Sequence, residues 1–286
     1  MQASALTWAN MDRNSRFGLQ ETTEETLKET ERWLKETETG YGQVKPILTP
    51  RYTPTCTDAC MEGLQVLSEK YQVPVQSHLS EGLDEIEWVK QLKPGLSCYG
   101  EAYDMYDLLG SKQPAVMAHV VHPNEAEYEL IKHRNVLVAH CPQSNTNAAN
   151  GVAPILQMVH DGIRVGLGTD MAGGYNLNLL RTMTDAIQSS KLRWCFTERN
   201  GDPFAKKNFL TVANAFYLAT KGGGSFFGKV GSFEPDYEFD AVVLDDAALA
   251  DFVERPVQDR FQRILWLYTA DTVTAKFIQG TCVYQA

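Results

Sequence analysis

Imidazoles and carboxylates sit directly after short apolar runs at several points of this sequence. His78 follows VPVQS with Glu81 three residues on, His119 follows AVMA, His140 follows VLVA, and Asp170 follows RVGLGT. Groups of this kind can carry out metal-assisted hydrolysis. That chemistry needs a nucleophilic hydroxide at neutral pH, which a bound zinc ion supplies by lowering the pKa of its water to about 7. It also needs a group that moves the water proton to the leaving group, and a polar frame that holds the substrate. Asp170 is a plausible metal ligand and water-orienting carboxylate, His78 is among the candidate imidazoles, and His119 could contact the same water. Glu81, one turn beyond His78, is placed to shuttle the proton. Taken singly, each residue is as easily a hydrogen-bonded structural group, and H-x-x-E arises often by chance. The weight lies in the recurrence of His, His and Asp after apolar runs.

The elements that must position these residues alternate regularly. Apolar runs near 5–11, 44–48, 73–77, 115–121, 136–139 and 163–167 read as strands. Between them lie helical patterns at 22–37, opened by the capping box TTEE, and at 59–71, 84–92, 125–133 and 154–161; a further helix at 179–192 follows the last run. Leu27, Trp33 and Leu34 share one face of the first helix, and Leu180, Met183, Ala186 and Ile187 form the buried face of the last. The second is expected to present Leu64, Val66 and Leu67. Strand-helix alternation argues a parallel sheet, and in a (β/α) barrel the chemistry collects at the C-terminal ends of the strands. A doubly wound open sheet would place it there too, but usually with a Gly-rich turn after its first strand, and none is present. Lys221–Gly224 is the one Gly cluster and reads as a helix stop and loop. After Gly228 the chain is turn-rich and then alternating. The fold expected is therefore α/β: a TIM-like barrel of about six of the usual eight strands over residues 1–227, and a small β-rich segment over 228–286.

Composition narrows the classes. The chain has 286 residues and 43% hydrophobic content, enough for a barrel core. A net charge of −10 without a basic block argues against nucleic-acid binding. No apolar stretch approaches about 18 residues, so no membrane span is expected, and the N-terminus does not read as a signal peptide. The six scattered cysteines show no C-x-x-C pair and read as free, mostly buried thiols of a reducing, cytoplasmic compartment.

Six segments resemble the guanine deaminases of the amidohydrolase superfamily. They are NMDRNS (10–15), LTPRYTPTC (48–56), SHLSEGLDEIEWVKQL (77–92), MAHVVHPNEAE (117–127), AHCPQSN (139–145) and GLGTDMAGGYNLNLL (166–180), in the family's order across nearly the whole chain. GTD and HCP-x-SN are shared with other deaminases and triazine hydrolases. The combination of PRY, SH-x-SE and GTD-x-AGGY is the more specific signal. VGSFEPDYEFDAVVLDD is similar to the superfamily's closing small domain.

The resemblance implies deamination of guanine to xanthine with one zinc ion per subunit. It makes His78 a zinc ligand near the substrate, Glu81 the shuttle, and His119 the stabiliser of the water or of the tetrahedral intermediate. Asp170 becomes zinc ligand and base, and Arg51 the hydrogen-bond donor to the purine carbonyl edge, with Tyr52 beside the ring. His140 is expected as a supporting residue, His122 as unpaired with His119 on a metal, and His133 and His160 as exposed. The family also carries an H-x-H zinc pair on its first barrel strand, and this sequence has none. An N-terminally truncated chain is therefore expected, one that by itself binds metal weakly and turns over little. Other open readings are hydrolysis of another purine, pyrimidine or triazine, a non-catalytic relative, and iron in place of zinc. The family's habit and unpaired strand edges favour a homodimer.

Overall fold

The computed structural model describes residues 5–286 apart from 7–8, 17, 38–43, 203–204, 251 and 270–271. The chain opens with two short strands, β1 (Ala5–Leu6) and β2 (Ala9–Asn10), then helix α1 (Thr23–Thr37). Part of the first expected apolar run thus lies outside the described residues. The expected capping box is formed: Glu25 N–H donates to Thr22 Oγ1, and the Glu25 carboxylate accepts from Thr22 N–H. Next come β3 (Lys45–Pro46), β4 (Thr49–Pro50), α2 (Asp58–Tyr71) and β5 (Val75–Leu79). Leu64 and Leu67 of α2 are buried, but Val66 is 59% exposed, because at about 100° per residue it falls on the opposite side of the helix.

The chain continues through α3 (Leu83–Leu92), α4 (Glu101–Asp104), β6 (Ala115–His119), α5 (Glu125–His133), β7 (Leu137–His140), α6 (Pro142–Asn147), α7 (Ile155–His160) and β8 (Arg164–Leu167). The strands β5, β6, β7 and β8 form a parallel sheet in sequence order. Leu48 bridges Val75 in parallel, β4 pairs with β2, and β3 with β1, all parallel. The result is an arc of six parallel strand positions, a sector of a (β/α) barrel. Helices cover its outer side, and β5 and β6 alternate buried and half-buried residues.

Helix α8 (Leu179–Arg193) buries Met183, Ala186 and Ile187 as its periodicity predicts. Helix α9 (Val212–Tyr217) runs on through further helical turns to Gly224. The Gly cluster is thus inside a helix rather than a stop. Its glycines are there because the helix end lies on β8: a Cβ on Gly222 would meet the Val165 carbonyl at 2.5 Å, and one on Gly166 would meet Gly223 Cα at 2.8 Å. The C-terminal part contains β9 (Ala241–Leu244), α10 (Val257–Leu267), β10 (Val273–Ile278) and β11 (Thr281–Gln285). The three strands form an antiparallel sheet. Helix α10 was not read from the sequence; it buries Ile264 and Leu265 and contacts α8. Among the described residues, no helix is long and apolar enough to cross a membrane. Cys56, Cys60, Cys98 and Cys141 are buried, Cys195 and Cys282 are exposed, and all are free thiols.

Candidate active site

The C-terminal ends of β5, β6 and β8 bring His78, His119 and Asp170 together. One ligand atom from each lies within 4.8 Å of the others. Strand alternation alone does not predict this. In the β5–β6 register His78 faces Ala118, while His119 faces Leu79. Side chains at adjacent positions of a strand point to opposite faces. A regular β6 would therefore send the His119 ring to the side of the sheet away from His78. Instead, His119 adopts φ 76°, turning its ring into a stack on His78 at 5.1 Å between centroids. Ser80 (φ 46°), Val120 (φ 45°) and Asp170 (φ 45°) also occupy the left-handed region, uncommon for non-glycine residues and most of all for β-branched valine. Interlocked backbone hydrogen bonds hold these strand ends. Val120 N–H donates to the Leu79 carbonyl at 2.9 Å, and the Val121 and His122 N–H groups to that of Ser80.

Each imidazole is fixed by one ring nitrogen. His78 Nδ1 is 2.5 Å from the Arg51 carbonyl, which can only accept, so Nδ1 carries the proton. His119 Nδ1 pairs at 2.8 Å with Asn145 Oδ1, and its Nε2 is buried without a hydrogen-bond partner. With Nδ1 of each ring engaged, Nε2 is left as the lone-pair donor. Burial holds both below the usual histidine range; the neighbouring His119 depresses His78 further, and the Asn145 bond partly offsets the effect on His119. Neutral imidazoles with free lone pairs, a carboxylate and an orphaned buried nitrogen form a donor set suited to a divalent metal. A single ion could be reached with side-chain adjustments of about an ångström, given metal–nitrogen bonds of about 2.0–2.1 Å.

Asp170 is held by the glycines that follow it. Gly174 N–H donates to the Asp170 carbonyl at 2.5 Å, and a Cβ on Gly173 would sit 2.8 Å from Asp170 Oδ2. The Gln143 side chain accepts from Tyr175 and Asn176 N–H groups, tying the HCPQSN and GTDMAGGY segments together.

Glu81 Oε2 stands 3.5 Å from His119 Nε2, and Asn150 Nδ2 donates to its Oε1 at 2.8 Å. Burial raises the Glu81 carboxyl above its usual range, opposed by His78 and reinforced by Asp170. Arg51 and Tyr52 lie across the same cavity of about 410 Å³, which is also lined by His78, Glu81, His119 and Asp170. Arg51 is exposed with its guanidinium 5.2 Å from the Tyr52 ring, and Tyr52 is edge-on to His78. All six sequence candidates therefore meet at one opening.

The remaining histidines fall where expected. His140 is buried behind the site, and burial, with His119 nearby, pushes it down to about 3. His122 lies outside the cluster: β6 ends at His119, and His122 Nε2 bonds to the Asn150 carbonyl at 2.5 Å. His133 and His160 are exposed. Three supporting residues escaped the sequence reading: Asn145 behind His119, Asn150 beside Glu81, and Tyr103 beneath His78. Asn145 lies in the recognised HCPQSN segment, but only the fold shows that it faces His119.

The chain is similar in sequence and fold to several known proteins. A guanine deaminase of Dictyostelium discoideum is 35% identical over 278 residues, spanning 94% of this chain and 60% of its own length. The crystal structure of guanine deaminase from C. acetobutylicum, with guanine bound in the active site, superposes with a TM-score of 0.90 at 40% identity, over 97% of this chain and 64% of that one. An adenosine deaminase from Xanthomonas campestris with bound zinc shares the fold, with a TM-score of 0.79 at 21% identity over 98% of this chain and 60% of that one. The chain thus spans about three fifths of the length of these relatives. Residues 4–264 match the amidohydrolase family, and with its strand-end cluster of imidazoles and carboxylates the chain belongs to that family.

Proposed function

We propose that this chain carries the substrate-facing part of a guanine deaminase site, which hydrolyses guanine to xanthine and ammonia. The observation that carries the reading is the convergence of His78, His119 and Asp170 at one cavity mouth with Glu81, Arg51 and Tyr52. His78 and Asp170, with His119 beside them, would hold a zinc ion. When bound, zinc supplies a nucleophile at neutral pH by acidifying a water.

The other steps belong to the chain. Glu81 accepts the first water proton and passes it to the purine ring nitrogen, then carries the second, from the hydroxyl of the tetrahedral carbon, to the departing amine; its raised proton affinity suits a group that must both take and give. His119 steadies the attacking water or the developing tetrahedral centre. Asp170 orients the water and draws on its proton. Arg51 presents a fork of N–H donors to the acceptor-rich carbonyl edge of the purine, and Tyr52 flanks the ring.

The test is zinc analysis of the 286-residue chain together with a guanine-to-xanthine absorbance assay in added zinc. The expected result is slow, zinc-dependent conversion of guanine and none of adenine, lost in Glu81→Gln. Preferred turnover of another heterocycle, surviving Arg51→Ala, would reassign the substrate. Indifference of binding to metal, to His78→Ala and to Asp170→Ala would overturn the enzymatic reading.

A further inference from the structure

The hydroxyl of Tyr103, on α4, is buried outside the cavity lining and stands at a crossing of the segments that build the site. It donates to the His78 carbonyl at 2.8 Å and accepts from Thr53 N–H at 3.2 Å. The Ser77 hydroxyl is 2.9 Å away and also reaches the carbonyls of Pro50, at 2.6 Å, and Arg51, at 3.1 Å. The Arg51 carbonyl in turn receives His78 Nδ1. These groups form a closed ring of neighbours, from the His78 carbonyl through Tyr103, Ser77 and the Arg51 carbonyl back to the His78 ring, with the single Ser77 proton shared among its Tyr103, Pro50 and Arg51 partners. A second arm runs from Tyr103 to the Tyr99 hydroxyl at 3.3 Å, and from Tyr99 to Glu85 at 2.8 Å. The other Glu85 oxygen accepts the backbone N–H of Glu81 at 3.3 Å. One hydroxyl therefore touches, directly or through one neighbour, the backbone of Arg51, Thr53 and His78, and through two that of Glu81.

We propose that Tyr103 is a positioning residue that sets the His78 ring and the Arg51–Tyr52 segment in register with each other, so that metal and substrate are gripped from fixed directions. The circuit contains the only hydrogen bond given to the His78 ring among the described residues, and a ligand imidazole depends on that bond for its tautomer and angle. Removing the Tyr103 oxygen frees the Thr53 and His78 backbone groups together and lets the two segments drift apart. The inference rests on the guanine deaminase reading for its substrate arm only.

Zinc affinity of the full 286-residue chain, by competition with a chromogenic chelator, tests it for the parent, Tyr103→Phe and Tyr106→Phe. Loss of an outer hydrogen-bond partner weakens a metal site about 10–100-fold. Tyr103→Phe should weaken zinc binding about tenfold, and should raise the KM for guanine more than it lowers kcat. Tyr106→Phe, whose hydroxyl serves Lys93 instead, should leave both within about twofold. Ser77→Ala deletes the Ser77 link to Tyr103, Pro50 and Arg51 but leaves the Tyr103 hydroxyl on the His78 carbonyl and Thr53 N–H. It should shift zinc affinity in the same direction by less, and it keeps the test decisive if Tyr103→Phe does not fold. Zinc affinity within twofold of the parent in every folded variant of the circuit overturns the proposal. Absence of guanine turnover in the parent would instead count against the substrate reading, and the zinc result would still decide the role of Tyr103.

Discussion

Glu127 offers a prediction whose size and sign follow from its surroundings. It lies on α5 with 1% of its surface exposed; its Oε1 accepts the Gly100 N–H, at 2.9 Å, and the Ser80 side chain stands beside the carboxyl. Burial pushes its carboxyl up to about 7 from the ordinary 4.5, against the opposing pull of Ser80 and Gly100. The folded chain thus holds this proton more tightly than the unfolded chain does. Its favourable contribution is complete below pH 4.5 and is lost as pH rises through about 7. At about 1.4 kcal/mol per pH unit, the loss across that window is about 3 kcal/mol. Glu127→Gln keeps the shape and the acceptor for Gly100 while removing the charge. Urea unfolding of parent and variant between pH 4 and pH 8 should give curves that run together at the acid end. The variant should gain about 3 kcal/mol relative to the parent by the alkaline end. A constant difference across the range would refute the argument that this carboxyl is charged at a desolvation cost in the folded state. The consequence reaches the site, because Glu127 sits beside Ser80, whose carbonyl locks the turns after β5 and β6.

The other predictions concern the site and its supports. Asn150→Ala removes a hydrogen bond to an ionisable carboxylate, and at about 1.5 kcal/mol for such a bond kcat for guanine should fall roughly tenfold with KM nearly unchanged, as read by steady-state absorbance. An unaltered kcat would mean that Glu81 is held by something else. Arg51→Ala, whose guanidinium lies at the cavity rim, should raise KM for guanine by one to two orders of magnitude, about 1.5–3 kcal/mol of lost charged hydrogen bonding, without changing zinc content. Gly166→Ala puts a methyl 2.8 Å from Gly223 Cα and should lower Tm by about 5 °C, from an overpacking cost of about 1–3 kcal/mol, as a thermal melt would show.

Much of this protein is written in its local sequence. The spacing of apolar runs and amphipathic helices marks the parallel strands and their crossovers, because burial on a sheet and on a helix imposes different periods on the same chain. The boundaries of α5 and the capping box of α1 follow from side chains a few residues apart, which is the range at which capping and periodicity act. His78, Glu81, His119 and Asp170 were identifiable as candidates because each falls at or just past the end of an apolar run. What sequence could not supply was direction and support. Alternation would have sent the His119 ring away from His78; its left-handed backbone reverses that, and such a conformation persists only where surrounding hydrogen bonds impose it. The Gly cluster read as a stop until β8 was seen lying against it. Asn145, Asn150 and Tyr103 act on residues 26, 69 and 25 positions away, through bonds that exist only once the strands are side by side. The residue types needed for the chemistry were therefore set by the sequence, while their convergence, tautomers and supports were decided by tertiary packing, because contacts between distant segments carry no local period.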